Sequence, residues 1–213
     1  MARNGEDARE GIAMDNEALI VIDLQNDFCP GGALAVGGGD EIVPLVNRLI
    51  DTHAHVILTQ DWHPAGHSSF ASSHAGQAPF GSIELAYGPQ TLWPDHCVQG
   101  TEGADFHAKL AWTKAEMVIR KGFRPGIDSY SAFYENDRTT PTGLAGYLRE
   151  RGLTNLTLVG LATDFCVAYS ALDARRLGFD TGVILTACRA IDLGGSLQAA
   201  LTQMQGAGVS LSA

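Results

Sequence analysis

Nowhere in its 213 residues does the chain carry an apolar run approaching the roughly 20 residues that a membrane-spanning helix needs. Its opening stretch, MARNGEDAREGIAMDNE, lacks the apolar centre of a secretory signal and reads as a flexible extension over residues 1–17. Positive charge is scarce. Lys and Arg number 14 against 24 Asp and Glu, and the resulting net charge of -10 disfavours non-specific binding to nucleic acid or to an anionic membrane. Cysteine is sparse as well. The four residues Cys29, Cys97, Cys166 and Cys188 include no CxxC pair, so a disulfide framework is not expected. Separate thiols fit a reducing, cytoplasmic setting, with roles in catalysis or packing. No internal repeat and no low-complexity tract is visible. The glycines at Gly31-Gly32 and Gly37-Gly38-Gly39 lack the strand-to-helix spacing that cradles a phosphate and read as turns.

What is present is the composition of a compact globular protein, 45% hydrophobic and 18% charged. Residues 18–213 are enough for a single α/β domain with a well-buried core. ALIVIDLQ from Ala18 is a short β-branched run ending in polar residues, as expected of a buried parallel strand that opens into a site. Glu41 to Ala54 carries a helical stripe of Ile42, Leu45, Val46, Leu49 and Ile50. Further strands are expected at HVILTQ from His55, EMVIR from Glu116, NLTLVG from Asn155, GVILT from Gly182 and VSL near the end. Helices are expected over 142–151, 164–178 and 195–207. This alternation predicts a three-layer α/β/α, doubly wound fold around a mainly parallel six-stranded sheet. One section breaks the rhythm. From Asp61 to about Thr113 no strand is apparent, yet the stretch holds five of the seven histidines and argues for an ordered, functional segment.

In a doubly wound sheet, ligands bind at the C-terminal ends of the strands. Strand ends here supply Asp23, then Gln25, Asn26, Asp27 and Phe28; Asp61-Trp62-His63; Arg120-Lys121-Gly122; and Ala162, Thr163, Asp164 and Cys166. Taken locally, Cys166 reads equally well as a packing thiol or as a nucleophile. Thr163 is a plausible N-cap, which would put Cys166 in a first helical turn, where a thiolate is favoured. The other strand ends tip the balance, because a carboxylate (Asp23), an ammonium (Lys121) and a thiol (Cys166) could meet on one rim. The ammonium would favour the thiolate, and the carboxylate would take the thiol proton and return it to a leaving amine. Asp61 and His63, two apart on an extended segment, project to one side. With His96 they would form a facial one-carboxylate, two-imidazole set suited to zinc, iron or manganese. Cys97, facing away from its neighbour His96, ranks second as a ligand.

These blocks, standing as IVIDLQNDFCPGGAL, TQDWHPAGHSSFASSH, LWPDHCVQGTEGADFH, KGFRPGIDSYSAF and GLATDFCV, resemble the nicotinamidase family of isochorismatase-like cysteine hydrolases. The resemblance runs from Ala18 to Leu211 and implies hydrolysis of nicotinamide to nicotinate and ammonia through a cysteine thioester, in NAD salvage. Pyrazinamide is an implied second substrate. By position, Asp23, Lys121 and Cys166 match the family's catalytic triad. Asp61, His63 and His96 match its metal ligands, for one divalent ion, with zinc placed first. His67 matches a ligand only in some members and is left out. A cis peptide between Leu161 and Ala162 is implied, with an oxyanion hole from the backbone amides of Ala162 and Cys166. Phe28, Trp93 and Tyr130 match positions that wall the ring, and Phe165 would cover it from the helix side. Phe133, Cys29 and Cys188 read as packing residues. An N-carbamoyl or other small amide is the alternative substrate. A vinyl-ether hydrolase would need neither thiol nor metal, and a non-catalytic binding module would not need the complete triad. The expected partner is the small-molecule substrate alone, with no nucleic acid and no membrane; exposed apolar edges leave room for a homo-oligomer.

Overall fold

The computed structural model describes residues 16–213, so the expected N-terminal extension, residues 1–17, lies outside the described residues except for its last two. Six strands form one sheet: β1 (Glu17–Ile22), β2 (Val56–Asp61), β5 (Met117–Lys121), β6 (Asn155–Leu161), β7 (Asp180–Arg189) and β8 (Ser210–Ser212). Their order is β5-β2-β1-β6-β7-β8, and every adjacent pair is parallel. The central strand shows why. Ala18 to Ile22 are wholly buried, so this run needs cover on both faces, which parallel strands with crossover helices provide. The helices are α1 (Val43–Thr52), α2 (Leu144–Glu150), α3 (Ala168–Arg176) and α4 (Ser196–Gly206). In α1, Val43, Val46 and Ile50 form the buried stripe, and a proline in its first turn suits a helix start.

From β1 the chain winds outward through β2 to β5, then returns to β6 on the other side of β1 and winds out through β7 to β8. Right-handed crossovers therefore send α1 to one face and the later helices to the other. The reversal opens a crevice between the C-terminal ends of β1 and β6. The two strands approach closely there, because Gly160 sits at φ +117 and a Cβ on it would lie 2.1 Å from the Ile22 carbonyl oxygen. Only glycine fits that contact.

Three local expectations change. The stretch from Asp61 to Thr113 is not strand-free: β3 (Ser82–Leu85) and β4 (Gly88–Thr91) pair as an antiparallel hairpin. Gly88 and Pro89 hide β4 from a reading by propensity, and the pairing with β3 overrides it. The helix expected from Asp164 begins as a π-turn over Thr163–Val167 and becomes α-helical only at Ala168. Thr163 does not cap it; Ala162 holds the N-cap position, with no side-chain hydrogen bond. The Leu161–Ala162 peptide is cis, as the family resemblance implies.

Candidate active site

The crevice between β1 and β6 brings Asp23, Lys121 and Cys166 together. Asp23 follows β1 with φ 45, a left-handed backbone that costs a non-glycine residue on the order of 1–3 kcal/mol. Thr59 on β2 holds it there from both sides. Its hydroxyl oxygen accepts the Asp23 N–H at 3.1 Å, and the hydroxyl donates to Asp23 Oδ1 at 2.7 Å. The last residue of β5, Lys121, donates through Nζ to Asp61 Oδ1 at 2.9 Å, to the Ser129 carbonyl at 2.9 Å and to Cys166 Sγ at 3.4 Å. Nζ also lies 2.8 Å from Asp23 Oδ2 as an ion pair.

The electrostatics divide the roles. Burial alone would discharge Lys121, but the Asp23 and Asp61 carboxylates outweigh it and hold the ammonium well above its ordinary range. Burial pushes the Asp23 carboxyl up, with Lys121 pulling the other way and Asp61 adding to the rise. Burial also raises the Cys166 thiol well above its ordinary value; Lys121 opposes this, and the two carboxylates reinforce it. At this sulfur, desolvation and two anions act against one ammonium.

Beside the triad, ligand atoms of Asp61, His63 and His96 lie within 4.8 Å of one another. His63 Nε2 stands 3.2 Å and His96 Nε2 3.5 Å from Asp61 Oδ2. Both rings point Nδ1 at a backbone carbonyl, Gly122 at 2.9 Å and Pro94 at 2.8 Å. A carbonyl only accepts, so Nδ1 carries a proton in each ring and both Nε2 atoms are turned toward Asp61. This donor set fits a divalent metal. His67 differs. Its Nε2 faces the Arg124 and Ile127 carbonyls at 2.9 and 3.2 Å, while its Nδ1 accepts from Ser69, so both ring nitrogens are occupied. Among the described residues His63, His67 and Asp128 form a second group whose ligand atoms lie within 4.8 Å of one another, and Cys97, though buried, belongs to neither group.

A narrow cleft opens above both the triad and the Asp61 group. All four expected aromatics line it, Phe28, Trp93, Tyr130 and Phe165, together with Ala162 and Cys166. Trp93 meets Phe165 edge-on at 4.9 Å between ring centroids, and its indole N–H donates to the Tyr130 hydroxyl at 3.1 Å. The Ala162 carbonyl accepts from Phe165 and Val167, passing over the N–H of Cys166. Phe133 packs against Phe179 in the core, as expected. Burial pushes the Cys29 and Cys188 thiols up to about 11 and about 12, which suits inert packing.

Several supporting residues were not assigned a role from sequence. Gln25 accepts the Asp61 N–H at 2.8 Å and donates to the Asp61 and Ala104 carbonyls, both at 2.8 Å. Asp128 lines the cleft and accepts from Gln90 at 2.8 Å. Gly122, at φ +66, has no room for a Cβ, which would stand 2.4 Å from the His63 ring. Leu34 and Ile191 complete the cleft wall. A strand-end position was the only available signal for Gln25 and Gly122; the loop residues carried none.

Residues 17–213 match the isochorismatase domain family. A nicotinamidase of Acinetobacter baylyi is 56% identical over 195 residues, covering 92% of this chain and 91% of the relative. Among solved structures, a nicotinamidase/pyrazinamidase of Acinetobacter baumanii is 56% identical with a TM-score of 0.92, over 93% of this chain and 96% of that one. A protein of L. infantum in complex with nicotinate gives 38% identity and a TM-score of 0.81, over 92% of each chain. A pyrazinamidase of Pyrococcus horikoshii in complex with zinc gives 36% identity and a TM-score of 0.75, over 92% and 98%.

Proposed function

The chain belongs to the isochorismatase family, and we propose that it hydrolyses nicotinamide to nicotinate and ammonia, and pyrazinamide likewise, in NAD salvage. One observation carries the reading: a thiol, an ammonium and a buried carboxylate meet beneath a cleft walled by aromatic rings. In the first step Cys166 Sγ bonds to the carboxamide carbon as its proton passes to Asp23 Oδ2. Lys121 stabilises the developing sulfur and carboxylate charges. The amide N–H groups of Ala162 and Cys166 receive the oxyanion. As the C–N bond breaks, Asp23 delivers its proton to the departing ammonia and leaves a thioester on Cys166. Water then attacks the thioester, giving its proton to Asp23, and nicotinate leaves with the thiol restored. Phe28, Trp93, Tyr130 and Phe165 hold the ring and exclude water. Asp61, His63 and His96 would hold one divalent ion, zinc by the likeness to the P. horikoshii protein, which when bound supplies a Lewis-acidic anchor for the ring nitrogen.

We read residues 18–213 as one domain, supported by the family match over 17–213. Among the described residues no helix is long and apolar enough to cross a membrane. Four free, buried cysteines support action in a reducing cytoplasm. The partner is the small-molecule substrate. Nucleic acid is not a partner, which the charge of -10 supports. The test is ammonia release from nicotinamide by the parent and by Cys166→Ala. Release by the parent alone is expected. Release by neither sends the assignment to other small amides, and release by both removes Cys166 from the chemistry.

A further inference from the structure

Asp164 stands two residues before Cys166, on the turn that carries the nucleophile, and takes no part in the steps above. It is 4% exposed. Its carboxylate faces three donors from a single segment: the Ile191 N–H meets Oδ1 at 3.0 Å, the Asp192 N–H meets Oδ2 at 2.8 Å, and the Ser196 hydroxyl also donates to Oδ2. That segment links β7 to α4 and is irregular. Asp192, Gly194 and Gly195 all have positive φ, at 53, 61 and 86. Non-glycine backbone in this region persists only where its surroundings fix it. The same segment carries Ile191, which lines the cleft with Ala162, Phe165 and Cys166.

We propose that Asp164 is a positioning residue: by clasping Ile191–Ser196 to the nucleophile turn it holds Ile191 against the cleft, and so sets how tightly the substrate ring fits. The inference rests on the nicotinamide reading above. The chemistry calls for a carboxylate specifically. An ionised carboxylate accepts at both oxygens, matching three convergent donors, whereas an asparagine would turn its own N–H₂ toward one of them. The reacting atoms are untouched by Asp164, so its loss acts on binding before it acts on the chemical step.

The test is steady-state kinetics on nicotinamide and on a ring-methylated nicotinamide, using the parent, Asp164→Asn, Ile191→Ala and the double variant. Asp164→Asn is expected to raise KM for nicotinamide about tenfold with kcat changed less than about threefold. Its discrimination against the methylated ring should shrink, Ile191→Ala should shrink it likewise, and the double variant should add little to either. A fall in kcat at unchanged KM, or full additivity, overturns the proposal. Ser196→Ala removes one donor only; if Asp164→Asn does not fold, the same KM effect at smaller size is expected from it, and an unchanged KM counts against the clasp. Amide hydrogen exchange gives a readout independent of turnover. The Ile191 and Asp192 amides should exchange faster in Asp164→Asn while β6 stays protected, and unchanged protection refutes the clasp. A parent that releases no ammonia from either amide refutes the activity reading instead, and exchange then decides the clasp.

Discussion

Replacing Lys121 by methionine removes the one cation that meets both Asp23 and Asp61, at 2.8 and 2.9 Å, with its side chain wholly buried. Methionine fills similar volume, so lost packing is minor and the effect is electrostatic. Removing one partner of a buried pair leaves an uncompensated buried charge, which costs about 3–5 kcal/mol. For a chain of this size that is a fall in Tm of roughly 6–20 °C. The pH dependence is specific. Asp23 is already raised by burial and moves further up without Lys121; at Asp61 burial is outweighed by His63 and Lys121, which hold it well below its ordinary value, and losing Lys121 weakens that hold. A carboxyl raised in the folded state destabilises at high pH, and the penalty fades as pH falls through the raised value and the group protonates. The deficit of Lys121→Met is therefore largest at pH 8 and smaller at pH 5, by urea denaturation in the presence of a chelator. Adding Asp23→Asn should recover stability, with a coupling of about 1–3 kcal/mol. A deficit below about 1 kcal/mol, one equal at both pH values, or strict additivity would refute this electrostatic picture.

The raised Asp23 also shapes catalysis. Because it must be ionised to take the thiol proton, kcat/KM should fall on the acid side at a pH above the ordinary carboxylate value of about 4. A profile flat down to that value contradicts the role. Gly122→Ala should drive the His63 ring from its position and weaken metal binding about 10–100-fold, read as metal content after dialysis. Retained metal at parental affinity would remove His63 from the ligand set. Trp93→Ala removes an edge of the cleft and should raise KM for nicotinamide about tenfold while the triad's kcat contribution persists.

The parallel sheet and its order of use were legible because β1, β2 and β6 are continuous apolar runs, a pattern that only a two-sided burial explains. Asp23, Lys121 and Cys166 were legible for a related reason. Each ends or follows a strand, and the fold class predicts where strand ends converge. Asp61 and His63 were readable from spacing, and His96 from its company in a histidine-rich loop. The hairpin β3–β4 escaped because a strand spelled Gly-Pro-Gln-Thr exists through its partner and not through propensity. Gln25, Thr59, Gly122 and Asp164 escaped because each acts on groups from 27 to 79 residues away, and no local pattern encodes such a contact. The ionisation of Cys166 is likewise not a local property: it depends on burial and on Lys121, Asp23 and Asp61 from other strands.

The central claim is that Cys166 attacks the carboxamide. Its most direct test is acid quenching of the protein during turnover of nicotinamide, followed by peptide mass mapping. The account predicts a fraction of chains carrying one nicotinoyl group, on the peptide containing Cys166 and absent from Cys166→Ala. Turnover with no acylated Cys166 at any quench time, and with Cys166→Ala equally active, would contradict it.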